Sequence, residues 1–197
     1  MSMKICVFCG SSMGNQMVYQ HAAREVADFF VDNNISLIYG GAKVGLMKIL
    51  ADTLLDHHKE VIGIMPRMLV DKEVAHDGLS ELIVVDTMAE RKSKMEEFSD
   101  GFIALPGGYG TLDELSEILI YNQLRIHDKA LGILNVNGYF DSLLAFFDHA
   151  VQEGFVRAEH RDSLIVSDNI KTLMEKIQAY RPVSIGKWID DIKVESR

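Results

Sequence analysis

Cysteine, proline and tryptophan are scarce in this chain, at two, three and one residues, and no apolar run is long enough to cross a bilayer. The two cysteines, Cys6 and Cys9, have the C-x-x-C spacing of a redox pair, but such a motif normally opens a helix directly after its strand. Here Gly10-Ser11-Ser12 intervenes, which points to buried, reduced cysteines, and zinc would need a second pair of ligands. With so few prolines and no low-complexity stretch there is no sign of a linker. The first residues lack a charged segment followed by an apolar one, so a soluble, cytoplasmic protein with no membrane partner is expected. Positive charge is also short: 20 Lys and Arg stand against 29 Asp and Glu, for a net charge of −9. A field of that sign disfavours nucleic acid, whose binding rests on neutralising many phosphates. It leaves room for one nucleotide held by backbone donors and one or two basic side chains.

What the chain has is alternation. Short, nearly continuous apolar runs such as Ile5-Cys6-Val7-Phe8 and Leu82-Ile83-Val84-Val85 suit parallel strands buried on both faces. They predict strands at 4–8, 36–39, 61–64, 82–85, 102–105, 130–134 and 164–166. Segments of helical period predict helices at 18–32, 46–58, 89–99, 112–124, 139–153 and 170–180. The fold expected is α/β: one doubly wound, Rossmann-like domain over residues 1–197 with a mostly parallel sheet. Residues 182–197, with Ile185, Trp188 and Ile189, read as a short C-terminal extension.

Three turns rich in small residues follow predicted strands: Gly10-Ser11-Ser12, Gly40-Gly41-Ala42-Lys43-Val44-Gly45 and Pro106-Gly107-Gly108-Tyr109-Gly110-Thr111. In an open parallel sheet all three lie at the carboxyl edge, where ligands gather. The third is the most informative, because it opens a helix whose first N–H groups lack intrahelical partners and so form a cradle for phosphate. The same turn leads into Asp113 and Glu114. The plain reading of Glu114 is the T-x-x-E capping box that starts at Thr111. The functional reading is a carboxylate held beside the anion. Arg91, three residues after Met88 and four before Met95, falls on the apolar stripe of its helix, and an arginine facing inward wants an anion. Ser12, Tyr39 and Tyr109 are either ligand contacts or turn residues. The seven histidines show no metal spacing.

Met88-Ala89-Glu90-Arg91-Lys92-Ser93-Lys94-Met95 followed by Pro106-Gly107-Gly108-Tyr109-Gly110-Thr111-Leu112-Asp113-Glu114 resembles the paired signature of the LONELY GUY family. These are cytokinin-activating nucleoside 5′-monophosphate phosphoribohydrolases, many still labelled "possible lysine decarboxylase". Val7–Ser12, Tyr39-Gly40-Gly41, Gly63-Ile64-Met65-Pro66 and the run from Asn135 to Phe140 are similar too. The resemblance implies Arg91 and Glu114 as catalytic residues and the Gly107, Gly108, Tyr109, Gly110 and Thr111 turn as the holder of the 5′-phosphate. It places Glu73 and Lys92 along the nucleotide; Asp113, Ser12 and Gly41 complete the expected site. It also implies a Rossmann-like dimer, with some members hexameric, and hydrolysis without a cofactor. Lys43 and Lys48 depart from the family pattern. Two other functions compete: a nucleotide carrier without turnover, and a decarboxylase, which would need pyridoxal phosphate on a lysine, with Lys43 the one candidate. Apolar residues on the two helices around the signature (Met88, Met95, Leu119, Ile120, Tyr121, Leu124) exceed what one sheet face covers, which also predicts a homodimer.

Overall fold

Alternation along the strands builds a core on each side of one sheet. In the computed structural model, which describes residues 2–72 and 74–182, β1 (Lys4–Phe8) sends Ile5 and Val7 to one face and Cys6 and Phe8 to the other. β2 (Ser36–Tyr39) divides in the same way, with Leu37 and Tyr39 opposite Ile38. The sheet continues through β3 (Val61–Pro66), β4 (Glu81–Val85), β5 (Gly101–Ala104), β6 (Ala130–Leu134) and β7 (Ile165–Ser167). Its order is β4-β3-β2-β1-β5-β6-β7, and every neighbouring pair is parallel.

Helices cover both faces. Ala23, Val26 and Phe30 of α1 (Met17–Asp32), Leu50 and Leu54 of α2 (Gly45–Asp56) and Leu173 of α8 (Ile170–Ala179) pack on one side. Met95 of α4 (Met88–Glu97), Leu115 and Ile118 of α5 (Tyr109–Leu124) and Phe147 of α6 (Asp141–Gln152) pack on the other. Full burial of each large side chain of this kind contributes roughly 1.5–3 kcal/mol, so the two layers hold the sheet between them. No helix of the described residues is long and apolar enough to cross a membrane.

The strand order turns around between β1 and β5: β2, β3 and β4 lie on one side, β6 and β7 on the other. Diverging connections there open a crevice beyond the carboxyl ends of β1 and β5. Four details differ from the sequence-based expectation. α3 (Arg67–Val70) and α7 (Ala158–Asp162) are too short to show a helical period. The helix expected at 139–153 is α6, Asp141–Gln152, and ahead of it stands an unexpected 3-10 turn at Val136–Gly138, where Asn137 and Gly138 have φ of 51° and 67°. α5 begins at Tyr109, three residues before the expected start. Ile185, Trp188 and Ile189 of the expected extension lie outside the described residues.

Candidate active site

The three small-residue turns meet at backbone level. Gly10 donates its N–H to the Pro106 carbonyl at 3.0 Å, and Leu46 donates to the Gly10 carbonyl at 3.1 Å. A Cβ built on Gly107 would overlap Thr111 Oγ1 and stand 2.9 Å from the Gly10 nitrogen; one on Gly45 would overlap Ser11. Side chains at these two positions would pry the turns apart. Tyr139, at the start of the segment leading into α6, donates its hydroxyl to the Gly107 carbonyl at 2.6 Å and so fixes that peptide.

Gly108 is the N-cap of α5, and no side chain caps the helix. Tyr109, Gly110 and Thr111 therefore form its first turn, whose N–H groups lack intrahelical acceptors. This corrects the capping-box reading. Thr111 is already helical and buried against Gly107, and Glu114 lies one turn further on, too far along to return to the cap. The chain places its Thr-x-x-Glu box elsewhere: Thr87 Oγ1 accepts from the Glu90 N–H at 3.0 Å, and the Glu90 carboxylate accepts from the Asp86 N–H at 2.9 Å. That box starts α4 and thereby sets the helical phase of Arg91.

Arg91 points inward, as its stripe predicts. Its Nη1 donates to Glu114 Oε1 at 2.8 Å and its Nε to the Ile64 carbonyl at 3.1 Å. Both side chains of this ion pair are close to nine-tenths buried, 11% exposed for Arg91 and 9% for Glu114. Burial pushes the Glu114 carboxyl above its ordinary value; the guanidinium pulls it back without cancelling the effect. The stripe itself is half right, since Met95 is buried in the core while Met88, the first residue of α4, is exposed.

Two adjoining cavities of about 270 and 200 Å³ share Gly10, Ser11 and Gly108 in their walls. Ser12, Tyr19, Leu46 and Tyr139 close the larger one. Arg91, Glu114, Cys9, Gly40, Met47 and the first turn of α5 line the smaller one, so the acid, the arginine and the free N–H groups face one space. Tyr109 stands at its mouth, almost fully exposed. Other expected residues sit elsewhere. Lys92 is held by Asp113 at 3.1 Å and by Glu117, outside both cavities, and those carboxylates raise its pKa. Gly41 packs against Gly63 and Leu82 with φ of 78°, and lines neither cavity. Tyr39 is fully buried in the core, with no hydrogen-bond partner for its hydroxyl among the described residues, which removes it as a contact. Glu73 lies outside the described residues. Gly40, Met47, Cys9 and the Ile64 carbonyl are the contributions that the sequence reading missed. Cys9, Gly40 and Ile64 fall within the family-like runs Val7–Ser12, Tyr39-Gly40-Gly41 and Gly63-Ile64-Met65-Pro66, but nothing in those runs singled them out.

Seven parallel strands, a glycine turn at the switch point and a buried acid–arginine pair beside it define a Rossmann-like α/β protein. The family described as "possible lysine decarboxylase" matches residues 47–177. A cytokinin riboside 5′-monophosphate phosphoribohydrolase of Arabidopsis thaliana is 44% identical over 197 residues, covering 98% of this chain and 86% of that protein. Another from the same plant is 45% identical over 179 residues, covering 91% and 84%. The chain belongs to the LONELY GUY family, which carries the older lysine decarboxylase label. Among solved structures it is similar to a molybdenum cofactor binding protein of Rippkaea orientalis, with a TM-score of 0.69, 20% identity and coverage of 91% of this chain and 97% of that one. The molybdenum cofactor carrier protein of Chlamydomonas reinhardtii gives a TM-score of 0.67 at 16% identity, covering 91% and 100%. At such identities the likeness shows the fold alone.

The decarboxylase label implies pyridoxal phosphate bound to a lysine near the phosphate turn. Lys43 pairs with Asp77 at 2.9 Å along a separate cavity lined by Val70, His76 and Leu79, and Lys92 is committed to two carboxylates. The residues present do not fit that cofactor.

Proposed function

We propose that this chain hydrolyses the N-glycosidic bond of adenosine 5′-monophosphates, N6-modified ones included, to the free base and ribose 5-phosphate. The observation that carries this reading is the buried Arg91–Glu114 pair, 2.8 Å apart, in one cavity with the first turn of α5. The activity named for the Arabidopsis relatives supports it.

In this mechanism the 5′-phosphate rests on the N–H groups of the Gly107–Thr111 turn, where the helix dipole favours an anion. Ser12 stands at the rim of that cradle. Breaking the bond develops positive charge on the sugar, and Glu114, fixed by Arg91, stabilises that charge and orients or deprotonates the attacking water. Arg91 acts as a cation and hydrogen-bond donor, not as an acid, since its pKa lies above about 12. Lys92 neutralises Asp113 and Glu117 close to an anionic substrate. Water is the only co-reactant the reaction needs.

The continuous sheet supports one domain working as a unit. The two free, buried cysteines suit a reducing cytoplasm, and the net charge of −9 argues against a nucleic-acid partner. A homodimer is the assembly we propose. Rates of base release from AMP, adenosine and ATP test the reading. One helix N-terminus serves one phosphate, and each lost hydrogen bond to a charged group removes about 1.5–3 kcal/mol, so AMP is expected to react far faster than adenosine or ATP. Equal rates on adenosine and AMP would rule out the phosphate cradle.

A further inference from the structure

Three glycines occupy the turn after β2, and two of them have a backbone reason to be glycine: Gly41 and Gly45 have φ of 78° and 56°. Gly40 is not in the left-handed region, so its backbone conformation would accept alanine. What a side chain there would meet is Arg91. A Cβ built on Gly40 would overlap Nη2 of the guanidinium and stand 3.2 Å from its Cζ and 3.5 Å from Met47 Sδ. The guanidinium is thus bounded on three sides by three elements: the end of β2 against Nη2, the Ile64 carbonyl of β3 on Nε, and Glu114 of α5 on Nη1.

We propose that Gly40 is a positioning residue for the Arg91–Glu114 pair, its missing side chain being the space in which the guanidinium sits. The proposal rests on the reading that this pair is the catalytic centre. Gly45 and Gly63 provide the contrast, because Cβ atoms there would strike the backbone of Ser11 and Gly41, and the turns themselves would have to move. At Gly40 the obstructing atoms are the tip of one side chain. A methyl group therefore leaves the fold intact and drives the guanidinium out, at the expense of its bond to Ile64 or to Glu114.

Displacement has an electrostatic consequence. Glu114 is faced by Arg91 and Lys92 from α4, by Cys6 and Cys9 from β1 and the turn after it, and by Asp113 and Glu117 on its own helix. Arg91 is the nearest cation, so its retreat leaves burial less opposed and the carboxyl holds its proton to higher pH.

The test is Gly40→Ala in the full chain, followed by AMP hydrolysis, thermal unfolding and titration of the Glu114 carboxyl by carbon-13 NMR. Expected are a fall in kcat of about 100-fold or more with little change in KM, since a misplacement of about 1 Å is enough for that. The melting temperature should stay within about 4 °C of the parent's, and the Glu114 titration should move to higher pH. Parental kcat, or a loss of kcat with an unmoved Glu114 titration, overturns the proposal. Arg91→Lys removes Nη2, so adding Gly40→Ala to it should leave the Glu114 titration where Arg91→Lys alone puts it; a further upward move counts against the proposal. Should Gly40→Ala alone fail to fold, the Gly40→Ala/Arg91→Lys double variant is expected to fold, and its failure would assign the clash to the backbone and overturn the idea. If the parent chain does not hydrolyse AMP, the functional reading fails, while the titrations still decide whether Gly40 positions the pair.

Discussion

At Glu114 two opposed effects set the pH behaviour of the site. Burial raises its pKa and Arg91 lowers it, with burial the larger, so the folded value lies above the ordinary carboxylate value of about 4.3. If the ionised form is the one that works, the acid limb of kcat/KM falls at a pH above that ordinary value. Stability follows the opposite course. Between about pH 4.3 and the raised folded pKa the folded chain keeps a proton that the unfolded chain has released, so stability falls as pH rises through that window. Glu114→Gln should flatten this slope in denaturant unfolding followed against pH. The same variant should retain nucleotide binding and lose about 10²–10⁴-fold in kcat; parental turnover would leave Glu114 only as a partner for Arg91. Arg91→Ala is expected to abolish turnover. Lys92→Ala, which uncovers the charges of Asp113 and Glu117, should mainly raise KM for a phosphate-bearing substrate. A larger effect of Lys92→Ala on kcat than of Arg91→Ala would reverse these roles.

The start of α5 is the element that the account depends on most, and its glycines, Gly108 at the N-cap and Gly110 in the first turn, separate binding from folding. Cβ atoms on Gly108 and Gly110 would meet nothing within 4 Å, and both residues line the cavity of Glu114. Gly110→Ala, inside the helix, should hold or raise the melting temperature, since alanine is favoured over glycine there by roughly 0.5–1 kcal/mol. Its methyl group crowds the cradle, so KM for AMP should rise; an unchanged KM would place the phosphate elsewhere. This element also shows what the sequence could and could not disclose. Apolar runs announced the strands, and β1, β2 and β6 run over the expected residues, because burial on both faces leaves a plain compositional mark. The start of α5 was misplaced because Thr111 and Glu114 satisfy the spacing of a capping box, while Gly108 starts the helix through backbone conformation alone. Arg91 was legible from its stripe. Its other partners were not, since the Ile64 carbonyl belongs to the backbone and Gly40 contributes by having no side chain.

At the scale of the whole molecule, the apolar surface that the two signature helices leave uncovered is smaller than the sequence suggests. Met95 joins the core, Leu119 packs against it, and the Tyr121 hydroxyl reaches Glu117, leaving Ile120, Leu124 and Ile126 exposed along and after α5, with Met88 at the start of α4. Twofold pairing is the commonest way to cover such a surface, and light scattering during gel filtration is expected to give a dimer. A monomer of about 22 kDa that still hydrolyses AMP would show that no interface supports the site. The most direct measurement of the central claim is product identification: incubate the purified chain with AMP and with N6-isopentenyl-AMP, then separate the products by chromatography with mass detection. The account predicts free base and ribose 5-phosphate in equal amounts from both nucleotides, and their disappearance with Glu114→Gln. Nucleotide that is bound but recovered intact would make the chain a carrier, and adenosine with free phosphate would move the chemistry to the other end of the ribose; either result would contradict the account.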